Sequence, residues 1–258
     1  MDHIIVMLQN FLLVSLRAGC LLYFCPPWDS RFIPAQIRLF SILGLSLALT
    51  PLVAPYLPPF PGTWSAGVYL VIREVLIGLG CGLAFRFMFA GIRMAGDLVA
   101  IQMGFGMASL VDPDTQAQNT ILAEMLVLLA TLVFLALDGH QALLRLLAQS
   151  FQEVPLNTNV TLPVILASLV PELGRLMYSL AVQALAPVFA LLFLTQLALG
   201  LVARAVPQIQ VMIVGFPLTI ALGLFFLSLT LAASGQVLVD QFAHLKVTLT
   251  QILLAWKD

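Results

Sequence analysis

The sequence predicts an all-α integral membrane protein with about six hydrophobic segments. Of its 258 residues, 61% are hydrophobic and only 9% are charged, whereas roughly a quarter of the residues in an average soluble domain are charged. The apolar residues occur in long runs, and a helix needs about 20 of them to span a bilayer. Six spans would use about 120 residues. We therefore expect residues 1–258 to form a single membrane-embedded domain.

The charged and polar side chains exclude several classes of function. The 11 basic and 12 acidic residues are scattered singly and give a net charge of -1, so we expect no nucleic-acid surface. The histidines and cysteines lack the spacing of a metal site, and we interpret the cysteines as small apolar side chains: Cys20, Cys25 and Cys81. Without a phosphate-binding or hydrolase motif, neither a cofactor nor a catalytic site is expected.

Prolines separate the first three hydrophobic segments. The first covers residues 4–24; its end resembles a lipoprotein signal, but Arg17 does not fit that signal, so we expect a retained helix. The second covers residues 39–53, and Pro51 predicts that its regular helix ends near Leu49. The third covers residues 66–101.

The second half of the chain contains three more hydrophobic segments. Residues 102–119 are rich in glycine and contain an Asp-Pro turn, which predicts a loop. Hydrophobic segments follow at residues 120–137, 176–203 and 209–233, and residues 141–149 form an amphipathic stretch after the first of them. Pro187 and Pro217 lie inside the last two segments, and we predict a kink at Pro217.

Charges inside the segments indicate where the helices need polar partners. Isoleucine, leucine, valine and phenylalanine in the first segment favour insertion by roughly 5 kcal/mol, of which Arg17 removes about 2.5–3.5 kcal/mol if it lies deep. Arg73 and Glu74 raise the same problem in the third segment. We expect these side chains to face a bundle interior, a water-filled path or a neighbouring subunit.

A polar stripe continues along the third segment. Arg86, Arg93 and Asp97 are spaced by seven and four residues, which places them on one helix face, and Arg93 can pair with Asp97. The stripe is either an internal ion pair that sets the helix register or a wall facing an aqueous pore or a partner subunit. Three glycines in the same helix favour close helix packing: Gly78, Gly80 and Gly82.

Short motifs follow one another along the chain in a specific order. They are Gln102, Met103 and Gly104; Val111, Asp112 and Pro113, with Asn119; Asp138, Gly139 and His140; Arg204 with Pro207 and Gln208; and Val214, Gly215, Phe216, Pro217 and Leu218. In this order and spacing they resemble the FliR family of flagellar biosynthesis proteins, over roughly residues 17–223. The injectisome homologue of virulence-type systems has the same architecture, but the third and fifth motifs favour the flagellar branch.

The resemblance implies a subunit of the flagellar type III export gate, located in the bacterial inner membrane at the flagellar basal body. Such a subunit is not an enzyme. It forms a helical pore with FliP and FliQ, works beside FlhB and FlhA, and lets unfolded flagellar proteins pass. Its helices form hairpins that pack on neighbouring subunits and on membrane lipid.

The resemblance also implies a role for the loop between the third and fourth segments. In the family this loop plugs the pore, and residues 102–119 match it here. Glycines and conformable apolar side chains suit a movable plug, although ordinary helix-end packing is the alternative. The implied plug residues are Gln102, Met103, Gly104, Phe105, Gly106, Met107, Leu110, Asp112, Pro113 and Asn119. The implied structural residues are Asp138, Gly139, His140, Arg204, Pro207, Gln208, Gly215, Phe216 and Pro217.

Two other functions remain as alternatives. An independent secondary transporter or channel would use the charges within the spans as a midplane site, beside the proline-containing spans: Arg73, Glu74, Arg93 and Asp97. A membrane-embedded enzyme would need Glu124 and His140 to act together, but about four helical turns separate them.

Overall fold

A computed structural model describes residues 2–25, 33–56, 63–105, 121–154, 162–206 and 215–230. Every regular element in these ranges is helical, which confirms the all-α class. The α-helices are α1 (Asp2–Phe24), α2 (Ala35–Val53), α3 (Trp64–Met103), α4 (Ile121–Ala136), α5 (Gly139–Glu153), α6 (Leu162–Ala205) and α7 (Gly215–Thr230). A 3-10 turn, Ala54–Tyr56, follows α2.

Four of the described helices are long and apolar enough to cross a membrane. These stretches are Val6–Phe24, Ala35–Val53, Trp64–Met103 and Leu185–Ala205. Helices α4 and α5 meet at a bend of 68° and would add a fifth span if the pair crosses as one. The described helix α7, Gly215–Thr230, is also apolar. Among the described helices, four or five therefore qualify as membrane spans, which supports an integral membrane protein.

The prolines interrupt the helices less than the sequence predicts. Helix α2 continues through Pro51 to Val53, so the expected end near Leu49 is wrong. A single proline removes one backbone donor, and its φ angle is compatible with a helix. Helix α6 likewise continues through Pro187. Pro217 is the third residue of the described helix α7, and a kink there would involve residues before Gly215, which lie outside the described residues.

The described helices belong to two compact units. The first unit contains α1, α2, α3 as far as Met88, the end of α4 from Phe134, α5, and α6 as far as Arg175. Within it, α2 contacts both α1 and α5. The buried face of α5 contributes apolar side chains to the core of this unit: Leu143, Leu146, Leu147 and Phe151.

The second unit contains α3 from Phe89, α4 as far as Val133, α6 from Leu176, and α7. Its core side chains come from all four helices and include Val99, Leu126, Val188, Leu192 and Leu227. Glycines on α3 let the neighbouring helices approach closely. A Cβ added at Gly91 would lie 2.6 Å from the Met177 carbonyl oxygen, and one added at Gly96 would lie 2.7 Å from the Ala123 Cα. The C-terminal end of α3 therefore lies among α4, α6 and α7.

Candidate functional site

The C-terminal end of α3 is closed by a glycine cap. Gly104 has a φ of 96°, a conformation that favours glycine because it has no Cβ. The Gly104 N–H donates to the Ile101 carbonyl at 3.0 Å, and the Phe105 N–H donates to the Ala100 carbonyl at 3.0 Å. These two bonds have the pattern of a Schellman motif. The cap ends the 40-residue helix and leaves the last two carbonyls, those of Gln102 and Met103, without a partner from the cap.

Side chains of two other helices bind those remaining carbonyls. Gln196 of α6 donates its amide Nε2–H to the Gln102 carbonyl at 2.8 Å. Thr219 of α7 lies with its hydroxyl 3.1 Å from the Met103 carbonyl and also 3.1 Å from the Phe216 carbonyl of its own helix. All four terminal carbonyls of α3 therefore have donors, two from the cap and two from neighbouring helices.

Apolar contacts add to these hydrogen bonds. The Phe216 ring lies against Gly104, where an added Cβ would be 2.6 Å from its Cδ1 atom. The Met103 side chain is fully buried and fills the space at Gly223, where an added Cβ would be 2.3 Å from the Met103 Cε atom. We call this group the α3 C-terminal site: residues 102–105 with Gln196, Phe216, Thr219 and Gly223. It brings Gln102, Met103 and Gly104 together with Phe216, although about 110 residues separate these motifs in the sequence.

A buried ion pair lies in the first unit. The Arg17 guanidinium of α1 donates from Nε to Glu74 Oε2 at 2.6 Å and from its second terminal nitrogen to Glu74 Oε1 at 2.8 Å. Both side chains are excluded from solvent, at 1% and 0% exposure. Two parallel hydrogen bonds are the favoured geometry for an arginine and a carboxylate. Neighbouring Arg73 is also fully buried.

Arg17 also binds the C-terminal end of α5. It donates to the Ser150 carbonyl at 2.7 Å, to the Ser150 hydroxyl at 3.2 Å and to the Val154 carbonyl at 3.4 Å. Its guanidinium carbon lies 4.0 Å from the centre of the Phe151 ring. A cation at a helix C-terminus is favourable because the helix dipole is negative there. Arg17 thus joins α1, α3 and α5.

Glycines allow α1 and α3 to approach closely beside this ion pair. A Cβ at Gly78 would lie 2.5 Å from the Arg17 carbonyl oxygen, and one at Gly82 would lie 3.0 Å from the Cys20 carbonyl oxygen. The close packing predicted from this glycine run is therefore present at Gly78 and Gly82. The same approach brings Arg17 within reach of Glu74.

The predicted polar stripe of α3 has different neighbours in the two units. In the first unit, the Arg86 guanidinium lies 5.5 Å from the centre of the Phe24 ring. In the second unit, Arg93 donates to Glu124 of α4 at 2.9 Å, and these side chains are 38% and 50% exposed. A bond from Arg93 to Asp97 stays a prediction. The contact with Glu124 links two helices rather than two turns of one.

The motif Asp138, Gly139 and His140 forms the turn between α4 and α5. Asp138 has a φ of 55°, in the left-handed region that aspartate tolerates better than most residues. Its side chain accepts a hydrogen bond from Gln141 Nε2 at 3.1 Å. A Cβ at Gly139 would lie 2.3 Å from the Phe134 ring and 2.7 Å from the Phe134 carbonyl oxygen. The turn therefore requires the absence of a side chain at Gly139.

Several residues singled out from the sequence fall elsewhere. Arg204 is exposed in the last turn of α6. Phe105 is 41% exposed in the turn after α3. The other expected plug residues and four further motif residues lie outside the described residues: Gly106, Met107, Leu110, Asp112, Pro113 and Asn119, and Val111, Pro207, Gln208 and Val214. Among the residues that the structure does describe, no group of three histidine, cysteine or acidic side chains could hold a metal ion.

Sequence reasoning missed Gln196, Thr219 and the Arg17 partner Ser150. A usable signal existed for Gln196 and Thr219, since each is an uncharged polar residue in a span without charges. Polar side chains in such spans tend to bond across helices. Ser150 gave no comparable signal, because it lies in a polar, amphipathic stretch.

The sequence was compared with known proteins. A profile described as "Bacterial export proteins, family 1" matches residues 8–245. The flagellar biosynthetic protein FliR of Pectobacterium carotovorum subsp. carotovorum is 35% identical over 225 residues, which are 86% of this chain and 84% of that protein. The chain belongs to the FliR family. Two more FliR proteins are similar: that of Escherichia coli (strain K12) is 34% identical over 216 residues, 81% of this chain and 79% of that protein, and that of Bacillus subtilis (strain 168) is 31% identical over 257 residues, 98% of each.

The family assignment agrees with the resemblance found in the motifs. With its long apolar helices, the chain is a helical membrane protein of the FliR family of flagellar export proteins. Of the motif residues within the described ranges, Met103, Gly104 and Gly139 occupy closely packed positions.

Proposed function

We propose that this chain forms, with FliP-like and FliQ-like subunits, the pore of a flagellar type III export gate, and that residues 102–119 plug the closed pore. Unfolded flagellar proteins would pass through the pore, with FlhB-like and FlhA-like components beside it. The location would be the inner membrane at the flagellar basal body. The family membership supports the export role, because the matching profile spans residues 8–245.

The α3 C-terminal site is the observation that best supports a plug. A loop that blocks a pore must begin at a fixed point of the pore wall. The loop after α3 begins at residues 102–105, where all four terminal carbonyls of the helix have donors. The motifs on both sides of the site belong to the family pattern.

The exposed apolar surface supports assembly with other subunits and lipid. In α6, side chains that are more than half exposed include Phe193, Leu194, Leu197 and Leu201. In α7, Phe225 and Leu229 are also more than half exposed. Such a surface requires an apolar environment, which neighbouring helices and lipid tails would supply.

Assembly is tested by coexpression with the neighbouring operon genes, purification in mild detergent and native mass spectrometry. A defined large complex that contains FliP-like and FliQ-like chains is expected. A lone monomer or simple homodimer, with those partners expressed but absent from the complex, would contradict the pore proposal and favour an independent transporter.

The plug is tested by ion conductance of the purified complex in a planar bilayer. Replacement of residues 106–119 by a short glycine-serine linker should raise the conductance of the closed complex, because an apolar constriction excludes ions. The linker variant must yield the same complex by native mass spectrometry. An unchanged conductance in that variant would refute the plug assignment.

A further inference from the structure

The last two carbonyls of α3 depend on side chains from elsewhere in the second unit. Within the helix, the four C-terminal carbonyls have no intrahelical donor. The glycine cap supplies donors for the Ala100 and Ile101 carbonyls. Among the hydrogen bonds of the described residues, the Gln102 carbonyl accepts from Gln196 and the Met103 carbonyl accepts from Thr219, and neither has another donor. An unpaired carbonyl is costly in an apolar environment.

Two polar side chains near these donors on the same helices bond only locally in the described hydrogen bonds. Thr195, next to Gln196, bonds the Leu191 carbonyl of its own helix. Ser228 of α7 bonds the Phe225 carbonyl of its own helix. Local bonds of this kind are the common arrangement for serine and threonine in helices. Gln196, by contrast, donates to α3, and Thr219 has an acceptor on α3 in addition to the one in its own helix.

We propose that Gln196 and Thr219 are positioning residues of the gate, whose hydrogen bonds to the Gln102 and Met103 carbonyls hold the origin of the loop in its closed position. The proposal rests on the proposed plug function and adds to it the two residues, on α6 and α7, that control it. Neither residue belongs to a motif identified in the sequence.

The Thr219 hydroxyl has two acceptors, one on α3 and one in its own helix. The hydroxyl has one proton and lies 3.1 Å from each of two acceptors, the Met103 carbonyl and the Phe216 carbonyl of its own helix. If α7 moves away from α3, the hydroxyl still has the Phe216 carbonyl as its acceptor. Separation then leaves only the Met103 carbonyl unpaired, so the cost of opening is smaller than for a donor that has no second acceptor.

Gln196 provides the complementary contact from α6. Its amide bond to the Gln102 carbonyl is 2.8 Å long. Gln196 is exposed at the surface of the unit, whereas Thr219 is buried. A change at Gln196 therefore alters the hydrogen bond with little effect on the packing of the core.

The test uses the purified complex with its partner subunits and measures closed-state conductance in a planar bilayer. Thr219→Val keeps the shape of the side chain but removes the donor, and Gln196→Leu removes the amide. The loss of one hydrogen bond should raise the open probability roughly 2- to 10-fold in each variant. The double variant should conduct more than either single variant. Thr219→Ser retains the hydroxyl and should restore the parent conductance.

Two matched variants control for the loss of any hydroxyl. Thr195→Val and Ser228→Ala remove hydroxyls that bond within their own helices, and both should conduct like the parent. All variants are compared at equal complex yield by native mass spectrometry. If Thr219→Val fails to assemble, the exposed Gln196→Leu variant decides the question.

The outcomes separate this inference from the proposed function. If the linker variant of the loop has a higher closed-state conductance than the parent while Gln196→Leu and Thr219→Val conduct like the parent, the plug proposal stands and the positioning role is refuted. If the linker variant itself does not leak, both proposals fail. Equal leakage in Thr195→Val would also refute the positioning role, because that hydroxyl does not contact α3.

Discussion

Arg17 and Glu74, which are 57 residues apart in the sequence, form a two-point salt bridge that is sealed from solvent. The pair joins α1 to α3, and Arg17 additionally binds two carbonyls at the end of α5. Each charge alone would oppose insertion of its helix into lipid. Together the two charges compensate each other, and α3 contributes a further buried cation, Arg73, beside them.

Replacing one member of this pair should destabilise the protein strongly. Glu74→Leu leaves the buried Arg17 without its carboxylate, which costs about 3–5 kcal/mol. Arg17→Met should cost less, because Glu74 keeps the buried Arg73 beside it. The double variant removes both charges and should be more stable than the sum of the two single effects predicts. The measurement is thermal unfolding of the detergent-solubilised chain, followed for both single variants and the double variant. Additive losses in the double variant would contradict a direct pairing of the two charges.

An exposed ion pair outside the spans should behave differently. Arg175 donates hydrogen bonds to Glu172, and these bonds lower the pKa of the Glu172 carboxyl below its usual range. The contribution to stability is then present above the ordinary pKa of glutamate and is lost as the pH falls through the lowered pKa. Because the pair is exposed, Glu172→Gln should leave Tm unchanged within error at pH 7 and at about pH 3. A marked loss of Tm in Glu172→Gln at pH 7, absent at the lower pH, would contradict this weak role.

The glycine contact between α1 and α3 should tolerate no added methyl group. An alanine Cβ at Gly78 would lie 2.5 Å from the Arg17 carbonyl oxygen and 3.0 Å from the Arg17 Cα, so α1 would have to move. That movement would also disturb the Arg17 salt bridge. We expect Gly78→Ala to lower Tm and the yield of folded protein in detergent.

A second glycine provides the control for helix propensity. Gly44 of α2 has no atom within 4 Å of an added Cβ, and alanine is favoured over glycine in a helix by about 0.5–1 kcal/mol. Gly44→Ala should therefore keep or raise Tm. If both alanine variants unfold at the same temperature, the close contact at Gly78 contributes nothing to stability.

The sequence predicts the helices well because hydrophobic runs and helix length are local properties. Each of the six hydrophobic segments overlaps a described helix, and the amphipathic residues 141–149 lie within α5. The least accurate prediction is at Pro51, where the helix continues to Val53 because a proline removes one backbone donor and its φ angle is compatible with a helix. The burial of Arg17 and Glu74 agrees with an interior position, but no property of the sequence alone identifies them as partners.

The sequence predicts only some of the residues of the α3 C-terminal site. Gln102, Met103 and Gly104 stand out because glycine and the family motif mark them, and Phe216 belongs to another motif. Gln196 and Thr219 carry no charge and match no motif, so their role depends on which helices meet in three dimensions. Attention to single polar residues in charge-free spans would have selected both, together with others such as Thr195 that bond only their own helix.

Gly104 should be the least replaceable residue of the α3 C-terminal site. Alanine at a φ of 96° is strained by about 1–2 kcal/mol, and its Cβ would lie 2.6 Å from the Phe216 ring. We expect Gly104→Ala to reduce secretion of flagellar proteins in cells that lack the parent gene. Gly104→Ala combined with Phe216→Ala removes the steric contact but not the strain, so Tm should recover only in part. Gly200→Ala, where the added Cβ meets no atom within 4 Å, should secrete normally; normal secretion by Gly104→Ala as well would show that the glycine cap is dispensable.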